Sequence, residues 1–397
     1  MSTKYPGGII KATVTPPTTS SAPGIWTLEQ AAYWIKQGSW PFPAKPGLYS
    51  WGQNNYGQLG LGNTTYYSSP VQVGALTTWV GISCGSAHTL ATKTDGTLWS
   101  WGRNNSGQLG LGNTTYYSSP KQVGSLTTWL KIAGGYRHTL ATKTDGTLWS
   151  WGQNNLGQLG LGNTTNRSSP VQVGALTTWL NIAGGQYFSV ATKTDGTLWS
   201  WGRNSFGQLG LGNTTYYSSP KQVGSLTTWL NIACGSNHSL ATKTDGTLWS
   251  WGYNNSGQLG LGTSGAGTDK SSPTQVGALT NWSKIAVSSS QNIATKTDGT
   301  LWSWGLNSSG QLGLGNTTNY SSPKQVGALT TWLNIAGGVY HTIATKTDGT
   351  LWSWGANARG QLGLGNTTNY SSPKQVGALT TWSKVSGGRY SSIAITS

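Results

Sequence analysis

Apolar and polar positions follow one repeating order along most of the chain. The stretch TKTDGTLWSWG stands at residues 92–102 and returns unchanged at Thr142, Thr192, Thr242, Thr295 and Thr345. Its flanks are rich in Thr, Leu and Trp and alternate side to side, the pattern of a half-buried antiparallel pair. The central Asp-Gly supplies the positive φ that a tight hairpin turn needs. Two further runs, PVQVG and WLNIA or close variants of them in each copy, are bounded by Gly or Pro and predict more strands. Trp-Gly pairs begin at Trp51, Trp101, Trp151, Trp201, Trp251, Trp304 and Trp354, seven copies with a step of 50 residues and one step of 53. A fixed period of this size marks an array of one supersecondary unit. Roughly four short strands per copy is the content of one propeller blade.

The two ends of the array complement each other. GLYSWG at residues 47–52 has no hairpin partner before it, and SSIAITS at residues 391–397 has no Asp-Gly-Thr-Leu-Trp after it. Pairing them completes a seventh blade and removes two exposed sheet edges. The prediction is an all-β, seven-bladed propeller over residues 47–397, closed by its N- and C-terminal strands and preceded by an arm over residues 1–46.

The stretch GGYRHTLATKTDGTLWSWGQNNLGQLGLG, residues 134–162, resembles the repeat of the regulator of chromosome condensation family. The resemblance covers residues 47–397 and implies a seven-bladed propeller. Function does not follow from it, because propellers host many activities. The founding member's nucleotide exchange on a small GTPase depends on a protruding wedge and acidic contacts, and neither is found here. The plant UV-B photoreceptor's Gly-Trp-Arg-His-Thr motif is matched by Gly135-Tyr136-Arg137-His138-Thr139, with Tyr in place of the sensor Trp.

Residues 1–20 are rich in Thr, Pro, Gly and Ser and read as an extended arm. Thr27 and Gln30 then form a capping-box signal, with a helix predicted from Leu28 to Gln37 and a stop at Gly38. Trp26, Trp34, Ile35 and Trp40 are too apolar to leave in water and are expected to dock on the propeller or on another chain. Residues 21–41 resemble the N-terminal tag of structural proteins of tailed bacteriophages. That resemblance implies a multi-copy virion component held to other virion proteins through residues 1–46.

Only 8% of residues are charged, yet the net charge is +16. That surplus favours an anionic partner, or else serves as a solvated surface. Each turn Asp has a Lys two residues before it, and these Lys-Thr pairs are expected to be exposed. There is no apolar run long enough to span a bilayer and no signal-peptide core, so synthesis in a cytoplasm and no membrane partner are expected. Cys84 and Cys234 share one repeat position and are expected to be small buried residues, with no metal. Four histidines, His88, His138, His238 and His341, also share one position, filled elsewhere by Phe188, Gln291 and Ser391. A site that accepts Phe is a packing site. With no acid repeated beside it, no catalytic dyad, cofactor or enzyme activity is expected.

The copies differ at three places. The first is the pair before the His position, including Tyr136, Arg137, Gln186, Tyr187, Asn237, Tyr340, Arg389 and Tyr390. The second follows Trp-Gly and includes Gln53, Arg103, Arg203 and Tyr253. The third, three residues on, includes Tyr56, Phe206 and Arg359. Hairpin geometry puts the first two at the open end of one hairpin, opposite the turn, so they line one face of the ring. These residue types are enriched in binding hot spots; neutral drift is the alternative. One copy departs further: its loop at residues 263–273 is three residues longer, and Val287 to Asn292 replaces the common Gly-Gly segment, giving either a distinct lip or a drifted blade. The expected function is a non-enzymatic virion protein that recognises a host-surface polysaccharide or an anionic protein. The alternative is a cellular or phage-encoded interaction scaffold binding a protein or, less favoured, a nucleic acid.

Overall fold

The computed structural model describes residues 47–397. Seven antiparallel sheets of four strands each are arranged around a common axis. In the second blade the innermost strand is Trp129–Gly134, followed outward by His138–Lys143, Leu148–Gly152 and Arg167–Gln172. The innermost strands of neighbouring blades touch one another around the axis. The seventh blade takes two strands from each end of the array, in the order Tyr67–Gln72, Gly47–Gly52, Ser391–Thr396, Trp382–Gly387. Tyr49 faces Ala394 and Ser50 faces Ile393 across the closing pair, so the predicted closure holds. The predicted helix and the residues Trp26, Trp34, Ile35 and Trp40 lie outside the described residues.

The core sits between blades. Leu98 and Val123 of the first blade pack on Trp129, Ala141 and Trp151 of the second. Trp129 meets Trp151 edge to face at 5.9 Å, an arrangement that adds about 0.5–1.5 kcal/mol beyond burial. Polar ties run the same way. The Trp151 indole donates to the Gln108 carbonyl of the preceding copy at 3.0 Å, and Gly112 N donates to Ser168 O at 2.8 Å. The GQLGLG loop therefore staples each blade to the next. Gly110, at φ 73°, lies so close to Trp151 that a Cβ would come within 2.7 Å of its Nε1. The buried Asn104 holds the loop from within, accepting from Leu109 N at 2.9 Å and donating to Asn113 O at 3.0 Å.

At the turn face, Asp145 Oδ1 accepts from Thr147 N at 2.9 Å and Thr147 Oγ1 at 2.6 Å. Those bonds hold its carboxyl below the usual range. The lysine before it is not the exposed partner expected from sequence. Lys143 is buried, with Nζ 3.6 Å from the Trp149 ring centre and 5.2 Å from that of Trp129. The same stacking recurs at Lys193, Lys243, Lys296 and Lys346. Invariance of this lysine thus has a packing cause.

Candidate interaction face and axial channel

The three variable sets meet on one face. Where the second and third strands of a blade part, the residue after Trp-Gly donates its N–H back to the second residue of the pair before the His position. Arg103 N to Ala87 O (2.9 Å), Gln153 N to Arg137 O (2.8 Å) and Ala356 N to Tyr340 O (2.8 Å) are three of seven such bonds. The third set joins through side chains, both within a copy and across blades. The Arg103 guanidinium lies over the Tyr56 ring at 5.0 Å, and Arg203 lies over Phe206 at 5.4 Å. Phe206 packs on Tyr253 with centroids 4.5 Å apart. Arg137 stacks over Tyr136, which meets Tyr187 edge on; Arg389 stacks over Tyr390, which stacks on Tyr340. Gln53 Nε2 reaches Tyr66 Oη at 3.4 Å. Of these predicted residues Arg359 and Arg389 are exposed, and the rest are half-buried.

The first member of each pair turns toward the axis. Ser86, Tyr136, Gln186, Ser236, Ser289, Val339 and Arg389 ring the axial opening on this face, whereas Arg137, Tyr187, Asn237 and Tyr390 stand outside it. The opening is narrow. A Cβ on Gly134 would come within 2.5 Å of Gly85 N, and backbone bonds such as Tyr136 N to Gly185 O (3.1 Å) tie neighbouring blades there. Cys84 and Cys234 line this throat and are half-buried, where the sequence led to small buried residues. Desolvation in the throat pushes the Cys84 thiol up to about 12 and raises the Cys234 thiol as well, so neither is a ready nucleophile at neutral pH.

The arginines are segregated to one face. All six arginines of the chain, Arg103, Arg137, Arg167, Arg203, Arg359 and Arg389, lie at this end. Arg167 reaches it because it pairs with Gly152 at the strand end, and Lys270 pairs with Gly252 in the same way. Asp269 is the acid on this face, while six aspartates occupy the turns opposite. The long loop around Asp269 is not an added lip at that residue. Asp269 Oδ1 accepts from Asn254 N at 2.8 Å, the bond that Asn166, Asn319 and Asn369 make to their own copies. Where this position holds Tyr66, Tyr116 or Tyr216 instead, an exposed ring joins the face, as in the Tyr56–Tyr116 contact at 5.6 Å. This fourth variable position escaped the sequence reading. Its signal was the Tyr, Asn or Asp alternation before Ser-Ser-Pro.

The histidines behave as packing residues. All four are buried, and each Nε2 bonds a side chain of the next blade, as in His138 to Ser189 Oγ at 3.0 Å and His341 to Ser392 Oγ at 2.9 Å. Burial lowers His88 and His341 to about 3, and His138 and His238 to about 4, so all are neutral. Among the described residues no group of three His, Cys, Asp or Glu could hold a metal. Among them, too, no helix is long and apolar enough to cross a membrane.

Opening on the turn face, the axial channel holds a cavity of about 540 Å³. Its girdle comes from the third residue of each innermost strand: Gly81, Lys131, Asn181, Asn231, Lys284, Asn334 and Lys384. Each long side chain reaches to the next blade. Lys131 Nζ donates to Asn181 Oδ1 at 2.7 Å, and Asn181 Nδ2 donates to Leu230 O at 2.9 Å. Lys284 Nζ donates to Leu333 O at 2.7 Å and Asn334 Oδ1 at 3.1 Å, and Lys384 Nζ donates to Val80 O.

Residues 47–289 match the RCC1-like domain, and residues 298–345 and 348–395 match the regulator of chromosome condensation (RCC1) repeat. The chain belongs to the RCC1 repeat family. Among solved structures it is similar to Prp20p of Saccharomyces cerevisiae, at 21% identity and TM-score 0.80, covering 89% of this chain and 92% of that one. It is also similar to human WBSCR16, at 23% identity and TM-score 0.79, covering 89% and 99%. Yeast RCC1 (Prp20) in its complex with Kap60 aligns equally well, at 21% identity and TM-score 0.80 over 89% of both chains. At these identities the likeness shows the shared fold. The Lys-Asn girdle and the arginine face of this RCC1-repeat protein are read from its own residues.

Proposed function

We propose that the protein is a non-enzymatic interaction scaffold whose variable face binds an acidic surface on a protein partner. The observation that carries this reading is the gathering of every arginine onto one face, five of the six stacked on Tyr or Phe, and opposed there among the described residues by a single Asp. Stacked arginine keeps its outward N–H groups free for carboxylates, and Arg and Tyr are the residues most often decisive at interfaces. The solved relatives support the class of partner. Prp20p is described with binding to Gsp1p and histones, and yeast RCC1 with Kap60. Neutral buried histidines and the lack of a facing carboxylate support the non-enzymatic reading. The virion assignment, with its host-polysaccharide ligand, rests on residues 21–41, outside the described part, and none of the relatives named above supports it. In this reading residues 1–46 tether the propeller.

Site-specific photo-crosslinking tests the proposal. A photoreactive residue at Tyr136 or Tyr340 should capture a protein partner in the producing cell, and one at Thr144 on the turn face should not. Capture from Thr144 alone, or capture of nucleic acid from Tyr136, would refute it.

A further inference from the structure

The channel girdle is a second charged site, remote from the arginine face and independent of what binds there. Its three ammonium groups come from the second, fifth and seventh blades, so no two neighbouring blades both supply one and together they surround the axis. No Asp or Glu lines the cavity. This separates Lys131, Lys284 and Lys384 from the turn lysines, each of which has its own Asp two residues on. Each ammonium carries three N–H donors. Lys131 and Lys384 spend one each on the next blade and Lys284 spends two, which leaves donors on all three for a ligand.

We propose that the axial channel binds a compact, multiply charged oxyanion of the phosphate type through Lys131, Lys284 and Lys384. Size favours a free small anion over a macromolecule. The cavity of about 540 Å³ holds a few phosphate groups, and the glycine-lined throat narrows the far end. The girdle is preorganised, because each Lys and Asn side chain is already fixed to the neighbouring strand. Burial lowers the pKa of Lys131 and Lys284 with no carboxylate to offset it, a cost that a bound anion would relieve.

Isothermal titration of the full chain with inorganic tripolyphosphate tests this. The triple variant K131N/K284N/K384N places Asn where three blades already carry it, so the fold should persist in a thermal melt. One-to-one binding is expected in the parent, with a loss on the order of tenfold per lysine removed. The variant K121V/K221V/K374V removes equal charge at rim positions where Val71 and Val171 occur naturally, and it should bind within about twofold of the parent. Should the triple channel variant not fold, Asn231→Lys adds a fourth ammonium and should tighten binding. No binding by the parent, equal binding by the channel variant, or an equal loss in the rim variant would overturn the proposal. So would channel-dependent binding of hexaglutamate without tripolyphosphate, which would make the ligand an acidic protein segment.

Discussion

At the scale of single residues, the repeat is held by polar and charged groups placed where burial gives them one role. Lys143 is held on Trp149 and Trp129, so Lys143→Ala should cost about 1 kcal/mol in denaturant unfolding, with Lys143→Arg retaining much of it. The four histidines make stability depend on acid. An unfolded histidine titrates near 6.5, and the folded ones at about 3 to 4. Between those values the unfolded chain binds more protons. The contribution is therefore fully present above pH 6.5 and declines as pH falls through that window. At pH 5 each histidine should cost about 1–2 kcal/mol relative to pH 7. His138→Phe, which copies Phe188 of the next blade, should flatten that dependence in parallel melts.

At the scale of elements, the turn and the closing strands carry most of the order. Gly146 takes φ 76° in its turn, and a Cβ there would overlap the Thr177 carbonyl. Gly146→Ala should destabilise by more than about 1 kcal/mol, from the left-handed backbone and the clash together. The closing strand Ser391–Thr396 pairs with strands on both sides. Deleting residues 391–397 bares two strand edges and should yield an aggregating chain, seen as loss of the monomer peak in size-exclusion chromatography. Both predictions were open to the sequence. Asp-Gly between alternating runs gives the turn, and two half-units of opposite content give the closure. The role of the buried turn lysine was not, because a Lys beside a turn reads as solvated until the packing of both tryptophans is known.

At the scale of the whole molecule, the arginines gather on one face, while each turn aspartate on the other has a lysine two residues before it. Partner binding through the arginine face should weaken as salt rises from 50 to 300 mM. The pair R137Q/R389Q should lower affinity by on the order of tenfold while leaving the melting temperature in place. An unchanged affinity would move the interface elsewhere. Three of the four variable positions of this face were legible, because copies that are otherwise identical expose their differences and a hairpin has only two ends. The tyrosines before Ser-Ser-Pro were missed because their loop folds back over the face only through the buried Asn network.

The chain alone determined the number of blades, the strand content, the closure and the face that varies, since each follows from local pattern and period. Tertiary structure alone decided which lysines are stacked, which are rim charges and which three converge on the axis. Those positions lie about 50 residues or more apart and look alike in a strand. Only curvature of the seven sheets into a ring brings them within reach of one ligand.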